Sequence, residues 1–255
     1  MGLAGRRLFL PRRRLALRLA PHELRLSHET RVNRADPEPR RKRIREIRSW
    51  LEGAPQPGLV YEVAREWGDL ALSLGEFDEA RHAYQDIALP AARLHHTAQD
   101  VLAMKDALAT VATEAGDFGG AIEILKDATE ESGRILGAAH PDTLTSRNNL
   151  AGAYYAAGHI NDAIPLFEET LTTREELLGP NHPHTLASRN NLALAYQDAG
   201  RLNDAIPLFE ETLEARTRIL GLDHPGTLRA RNNLAMAYAA ADKPFRPEEQ
   251  PGTSA

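Results

Sequence analysis

Histidine is the first residue type whose spacing invites a chemical reading. His140, His182 and His224 are each followed by proline and fall forty-two residues apart. Three imidazoles could hold zinc only by converging to about 2 Å from one ion. A separation this long puts each in its own copy of one loop, so their expected role is loop geometry ahead of a helix. His182-x-His184 and His95-His96 lack acidic or cysteine partners at ligand spacing, and His22-Glu23 with His28 does not give the i, i+4 histidines of a zinc protease. Glu168-Glu169 and Glu210-Glu211 are carboxylate pairs of the kind acid–base chemistry uses, but exposed helix faces account for them. Asp117-Phe118-Gly119-Gly120 is a turn between helices rather than a phosphate loop, and no G-x-S-x-G elbow occurs. With no cysteine, thiolate nucleophiles, thiolate metal sites and disulfides are excluded. The chain is therefore expected to be no enzyme, with no catalytic residue, no metal and no cofactor.

The elements behind this spacing are repeats. From His140 to Asn181 and from His182 to Asp223 the chain runs through two units that agree at 28 of 42 positions. A fixed period of this size predicts stacked supersecondary units. In the first unit Leu144, Leu150, Ala151 and Tyr154 mark one face of a helix, and Gly158 stops it in the left-handed conformation that helix ends favour. Asn161 or Asp162 is expected to cap a second helix with apolar positions Ala163, Ile164, Phe167, Leu171 and Leu178. Pro165 then falls in that helix's first turn, where its missing N–H costs nothing. Each unit is a helical hairpin that cannot bury its apolar side alone, so neighbours must stack.

Charge divides the chain. Residues 1–50 carry fifteen Arg or Lys against five Asp or Glu, whereas the whole chain has a net charge of −5. Residues 1–38 read as a basic, disordered arm interrupted by Pro11, Pro21 and Pro37. Arg6-Arg7 resembles an export signal, but Pro11, Arg12, Arg13 and Arg14 occupy the stretch that would have to be apolar. Ile44, Ile47 and Leu51 predict a short amphipathic helix within 39–58, closed by the linker Gly53-Ala54-Pro55-Gln56-Pro57-Gly58. Repeats follow over 59–97, 98–139, 140–181 and 182–223, then a half repeat over 224–241 and a polar tail over 242–255. No segment has the roughly 18 apolar residues of a membrane span, and the expected compartment is the cytoplasm.

The pattern resembles the tetratricopeptide repeat family. The residues that carry the likeness are Ala151, Tyr154, Gly158, Ala163 and Phe167, then Ala193, Tyr196, Gly200, Ala205 and Phe209. The extra eight residues per unit, with Leu-Gly, His-Pro and Asn-Asn-Leu-Ala, resemble the kinesin-light-chain type found in bacterial proteins of this family. The likeness is strongest over 140–241, readable over 98–139 and weakest over 59–97. It implies an all-α fold, a right-handed superhelical solenoid of antiparallel hairpins. The long heptad coiled coil of kinesin light chains is not in this sequence.

The resemblance also implies which side of the first helix meets a partner. Thr145, Asn148, Gly152, Tyr155 and Ala156 lie opposite the apolar face, and family members line a concave groove with such positions. The matching residues are Ala187, Asn190, Leu194, Gln197 and Asp198, then Arg229, Asn232, Met236 and Ala239. Asn148, Asn190 and Asn232 are expected to form a ladder whose amides pair with the backbone of an extended peptide. Asn149, Asn191 and Asn233 are expected to serve packing. Arg147, Arg189 and Arg231 are expected to lie over the core and pair with acids of a neighbouring helix. Co-chaperone members grip a terminal carboxylate with Lys and Arg where this chain has Asn148 and Asn190, so that clamp is not expected here.

The expected function is a non-enzymatic protein–protein interaction scaffold that binds a peptide segment or partner protein in the groove. The candidate contacts are Asn148, Asn190, Asn232, Tyr155, Leu194, Gln197, Arg229 and Met236. The alternative is a regulatory or oligomerisation module that works with a separate signalling NTPase or transcription factor, self-associating through the unfinished last hairpin. Nucleic acid is not an expected partner, because the basic residues are not interleaved with aromatics apart from Phe9 and Trp50.

Overall fold

The computed structural model describes residues 36–53 and 57–242. The basic arm as far as residue 35 and the tail from 243 lie outside the described residues. The chain divides into two units, Met1–Gly53 and Ala54–Ala255. In the first, α1 (Glu38–Glu52) buries Ile44 and Ile47, the apolar positions that predicted it.

The second unit is all helix among the described residues. It runs α2 (Pro57–Ser73), α3 (Phe77–Arg81), a π-helical stretch (His82–Ala88), α4 (Leu89–His95), α5 (Ala98–Glu114), α6 (Phe118–Leu136), α7 (Pro141–Ala156), α8 (Ile160–Leu178), α9 (Pro183–Asp198), α10 (Leu202–Leu220) and α11 (Pro225–Ala240). Each helix packs on its neighbours in sequence, giving hairpins α5–α6, α7–α8 and α9–α10 that stack in order, with α11 against α10. This is the solenoid of antiparallel hairpins that the repeats predict. No described helix is long and apolar enough to cross a membrane.

The histidine–proline pairs are helix starts. Nδ1 of His140 accepts from the Asp142 N–H at 3.2 Å, Nδ1 of His182 from His184 N–H at 3.2 Å, and Nδ1 of His224 from Gly226 N–H at 3.0 Å. The imidazole thus does the work usually given to a Ser or Asp side chain at this position. The proline that follows occupies N1, where no N–H is needed. At the other end of α7, Gly158 takes φ +78° and the His159 N–H returns to the Tyr154 carbonyl at 2.9 Å, closing the helix.

Two local expectations are corrected. Helix α8 begins at Ile160 with His159 as its cap and no side-chain cap bond, so neither Asn161 nor Asp162 caps it. Pro165 consequently sits inside the helix, in the second turn, and so does Pro207 in α10. Both are exposed, and so are Asn161 and Asn203, whose carbonyls lose a helical donor and can turn to water. The helical run from Phe77 to His95 also contains a π segment, in which Leu89 N–H reaches five residues back to Tyr84. Pro90 supplies the reason: its ring would collide with the Asp86 carbonyl in a regular turn, and the wider π turn relieves this.

The core is mostly small side chains, with a buried phenylalanine at the centre of the α7–α8 and α9–α10 hairpins and Leu125 in the α5–α6 hairpin. Phe167 and Phe209 are fully buried among Ala151, Ala163, Ala193, Ala205 and Leu192. Alanine at the crossing points lets helix axes approach closely, and phenylalanine fills the remaining volume. In the first hairpin the Tyr84 ring lies so close to Gly68 that a Cβ there would overlap it.

Candidate partner-binding surface

The first helices of successive hairpins, α5, α7, α9 and α11, bond to one another directly, which places them side by side. Gln99 Nε2 donates to Asp142 Oδ2 at 3.0 Å, Ser188 Oγ to Asn148 Oδ1 at 3.3 Å and Asn233 Nδ2 to Asn190 Oδ1 at 2.9 Å. The Tyr155 hydroxyl donates to Asp198. Each bond spans one repeat in sequence, so the stacking of hairpins brings these groups together.

The sequence-predicted residues fall along this row. Asn148 and Asn190 are half-buried and spend their side-chain oxygens on the next hairpin. Asn232, on the last helix, is exposed. Asn233, expected to serve packing, does so by donating to Asn190. Tyr155 and Leu194 are half-buried and pack against the core as well as bordering the row. Burial and then the Asp198 carboxylate push the Tyr155 phenol up to about 12, so it remains a donor at any physiological pH. Gln197 is half-buried, and its Oε1 is buried without a hydrogen-bond partner. Arg229 and Met236 are exposed, and Arg229 lowers the pKa of Arg216 behind it, whose larger perturbation is burial. These residues form a row and not a single pocket.

Sequence reasoning missed three residues of this surface. Asp106 stands forty-two residues before Asn148 and occupies the same rung. Burial raises its carboxyl to about 6; Asn149 and Ser146 beside it pull the value down, and Asp142 pushes it up. Neither Asp106 Oδ1 nor the Ser146 hydroxyl has a partner at hydrogen-bonding geometry. Counting one period back from Asn148 would have found this rung. Ser188 links Asn148 to Arg174, whose NH1 donates to Ser188 Oγ at 2.7 Å and whose NH2 donates to Thr145 Oγ1 at 3.2 Å. The guanidinium is buried, and burial lowers its pKa. No local sequence signal marks Arg174, because its partners come from two other helices.

Arg147 and Arg189 behave as the packing residues expected of them, whereas no acidic partner is seen for Arg231 among the described residues. Arg147 NH1 pairs with Glu169 at 2.9 Å, Arg189 pairs with Glu175 and, through Nε at 3.5 Å, with Glu211, and Lys105 holds the same place with Asp127 at 2.6 Å. The glutamate pairs are structural too, though not merely solvated. Glu168 and Glu210 are half-buried and accept from the Tyr196 and Tyr238 hydroxyls. Among the described residues no group of three or more His, Cys, Asp or Glu could hold a metal ion.

Comparison with known families matches tetratricopeptide repeat profiles at residues 101–142 and 143–184, and again at 185–244. The matched stretches together span more than half of the chain. Comparison with curated proteins gives no match. Among solved structures the chain is similar to BtubC (BKLC) from P. vanneervenii, with a TM-score of 0.66 and 22% identity over 81% of this chain and 83% of that one. It is also similar to a putative kinesin light chain from Podosopora anserina with nearly identical TPR-like repeats, with a TM-score of 0.60 and 28% identity over 73% and 89%. A Rap protein complexed with Competence and Sporulation Factor shares the fold, with a TM-score of 0.58 and 13% identity over 80% and 60%.

Proposed function

Because the chain belongs to the tetratricopeptide repeat family, we propose that it is a non-enzymatic scaffold that binds an extended peptide segment or partner protein along the row formed by α5, α7, α9 and α11. The observation that carries this reading is that the oxygens of Asn148 and Asn190 are each occupied by the next first helix along the row. Asn233 occupies the Asn190 oxygen and Ser188 occupies the Asn148 oxygen. What remains for a partner is a line of side-chain amide donors, suited to the backbone carbonyls of an extended segment whatever its side chains. Tyr155, Leu194, Gln197 and Met236 border that line, with Arg229 at its end.

The test follows from the same geometry. Asn148 and Asn190 serve the seam between hairpins as well as a partner, so their alanine variants alter folding and binding together. Asn232 and Met236 are exposed, and Asn232→Ala with Met236→Ala should abolish capture of a partner by the full chain while leaving helicity and melting unchanged. Capture undiminished in that variant, with melting intact, rejects the row as the binding surface.

One observation favours a second reading, a regulatory module that associates through its last helix. Leu144 and Leu186 are 1% and 5% exposed, whereas Leu228, in the same phase on α11, is 46% exposed. Leu228→Glu should then reduce association with a second chain, read by light scattering across a concentration series. A size that this variant leaves unchanged rejects the reading.

A further inference from the structure

Six of the eight large apolar side chains exposed among the described residues sit at one place in the hairpin, the end of its second helix or the loop just after. Four stand one residue before the end of their helix: Leu94 is 75% exposed, Ile135 45%, Leu177 53% and Ile219 50%. The last three are spaced by the forty-two-residue period. The loop adds a second track, with Ala138, Pro180 and Leu222 exposed in the same phase. The stripe belongs to α4, α6, α8 and α10, so it is distinct from the row on α5, α7, α9 and α11. Isolated exposed leucines are ordinary on a protein surface, but apolar side chains left exposed at the same place in hairpin after hairpin mark an interaction surface.

We propose that this stripe is a self-association surface on which a second copy of the chain docks in antiparallel register. A partner that meets one apolar side chain per hairpin at every hairpin must share the rise of the stack, and another copy does so by construction. The exposed charge beside each apolar residue then selects the alignment. Going along the stripe these are Arg93, Arg134, Glu176 and Arg218. A parallel pairing in register sets Arg134 on Arg134 and Glu176 on Glu176. An antiparallel two-fold pairing sets Ile135 against the second copy's Leu177 and brings Arg134 to the second copy's Glu176 on both sides of the axis. Such an isologous contact is complementary to itself and closes at two copies. At its ends Arg93 approaches Arg218 of the second copy, but Arg218 NH2 is turned aside to Asn181 Oδ1 at 2.9 Å. A narrow stripe gives an interface at the small end of the range, so the dimer is concentration-dependent.

The experiment is sedimentation of the full chain over a concentration series, with binding along the row tested separately. The expected result is a monomer–dimer equilibrium that Ile135→Glu with Leu177→Glu abolishes without change in helicity, since both positions are exposed. Arg134→Glu or Glu176→Arg alone should weaken the dimer roughly tenfold or more through like-charge contact, and the two together should restore it. Because the chain has no cysteine, a mixture of Ile135→Cys and Leu177→Cys chains should form the mixed disulfide dimer faster than either forms its own. A strict monomer overturns the proposal. A dimer lost in Leu228→Glu but retained in the stripe variants also overturns it, and so does a combined charge swap that fails to restore association. Loss of partner capture with dimerisation intact bears on the row alone.

Discussion

Replacing Asp106 with asparagine should stabilise the protein at neutral pH while leaving the fold unchanged. The carboxyl lies on the rung that asparagine occupies in α7, α9 and α11, and burial holds its pKa at about 6 against a reference of 3.8. The folded state therefore binds this proton more tightly than the unfolded state. Stability from this group is fully present below about pH 3.8 and falls as pH rises toward 6. Above that window the folded state carries a desolvated carboxylate with one oxygen unpartnered. The shift is worth about 3 kcal/mol at most, at 1.36 kcal/mol per pKa unit, and relaxation of the seam reduces this to about 1–2 kcal/mol. Asparagine removes the charge, keeps the shape and supplies a donor for the Ser146 hydroxyl, which now lacks a partner. Thermal melting at pH 5 and pH 7.5 reads both consequences. The variant should melt a few degrees higher at pH 7.5, roughly 2–4 °C per kcal/mol for a chain of this size. The difference should shrink at pH 5. An Asp106→Asn variant that is neutral or destabilised at pH 7.5 refutes the reasoning, as does one whose gain over the wild type is as large at pH 5 as at pH 7.5.

Three further outcomes follow from packing and caps. His182→Ala removes the acceptor at the start of α9 and should cost about 1 kcal/mol, measured by denaturant unfolding; no loss of stability would mean the imidazole does not serve as the cap. Phe209→Ala empties the centre of the α9–α10 hairpin and should cost about 3–5 kcal/mol, with hydrogen exchange rising in α9, α10 and α11 first. Gly68→Ala drives a methyl into the Tyr84 ring and should lower the melting temperature, and Gly68→Ala with Tyr84→Leu should recover part of the loss. A Gly68→Ala variant as stable as the wild type would show that the ring can move aside at no cost.

The fold was legible because its signals are local. Apolar positions at helical spacing, a proline at N1 and a left-handed glycine at each turn all act within one hairpin, and the forty-two-residue period repeats them. The start of the second helix of the unit from His140 was misplaced for a local reason too. Asn161 and Asp162 have the side chains of good caps, but the chain leaves Gly158 already able to enter a helix at Ile160, which carries Pro165 into the second turn. The candidate row was legible only as positions on a helix face. Neither the Asn190–Asn233 bond nor the place of Arg174 between Thr145 and Ser188 has a sequence signature, since each joins residues from different hairpins.

The period, the hairpin and the small-residue core thus follow from the sequence alone, because those depend on contacts within a few turns of helix. The set of one hairpin against the next settles which asparagine oxygens are spent, why the Asp106 carboxyl binds its proton more tightly than a free one, and which leucines and isoleucines remain in water. Those properties depend on how one hairpin is set against the next, which brings residues a full period apart within hydrogen-bonding distance and leaves the ends of the second helices uncovered.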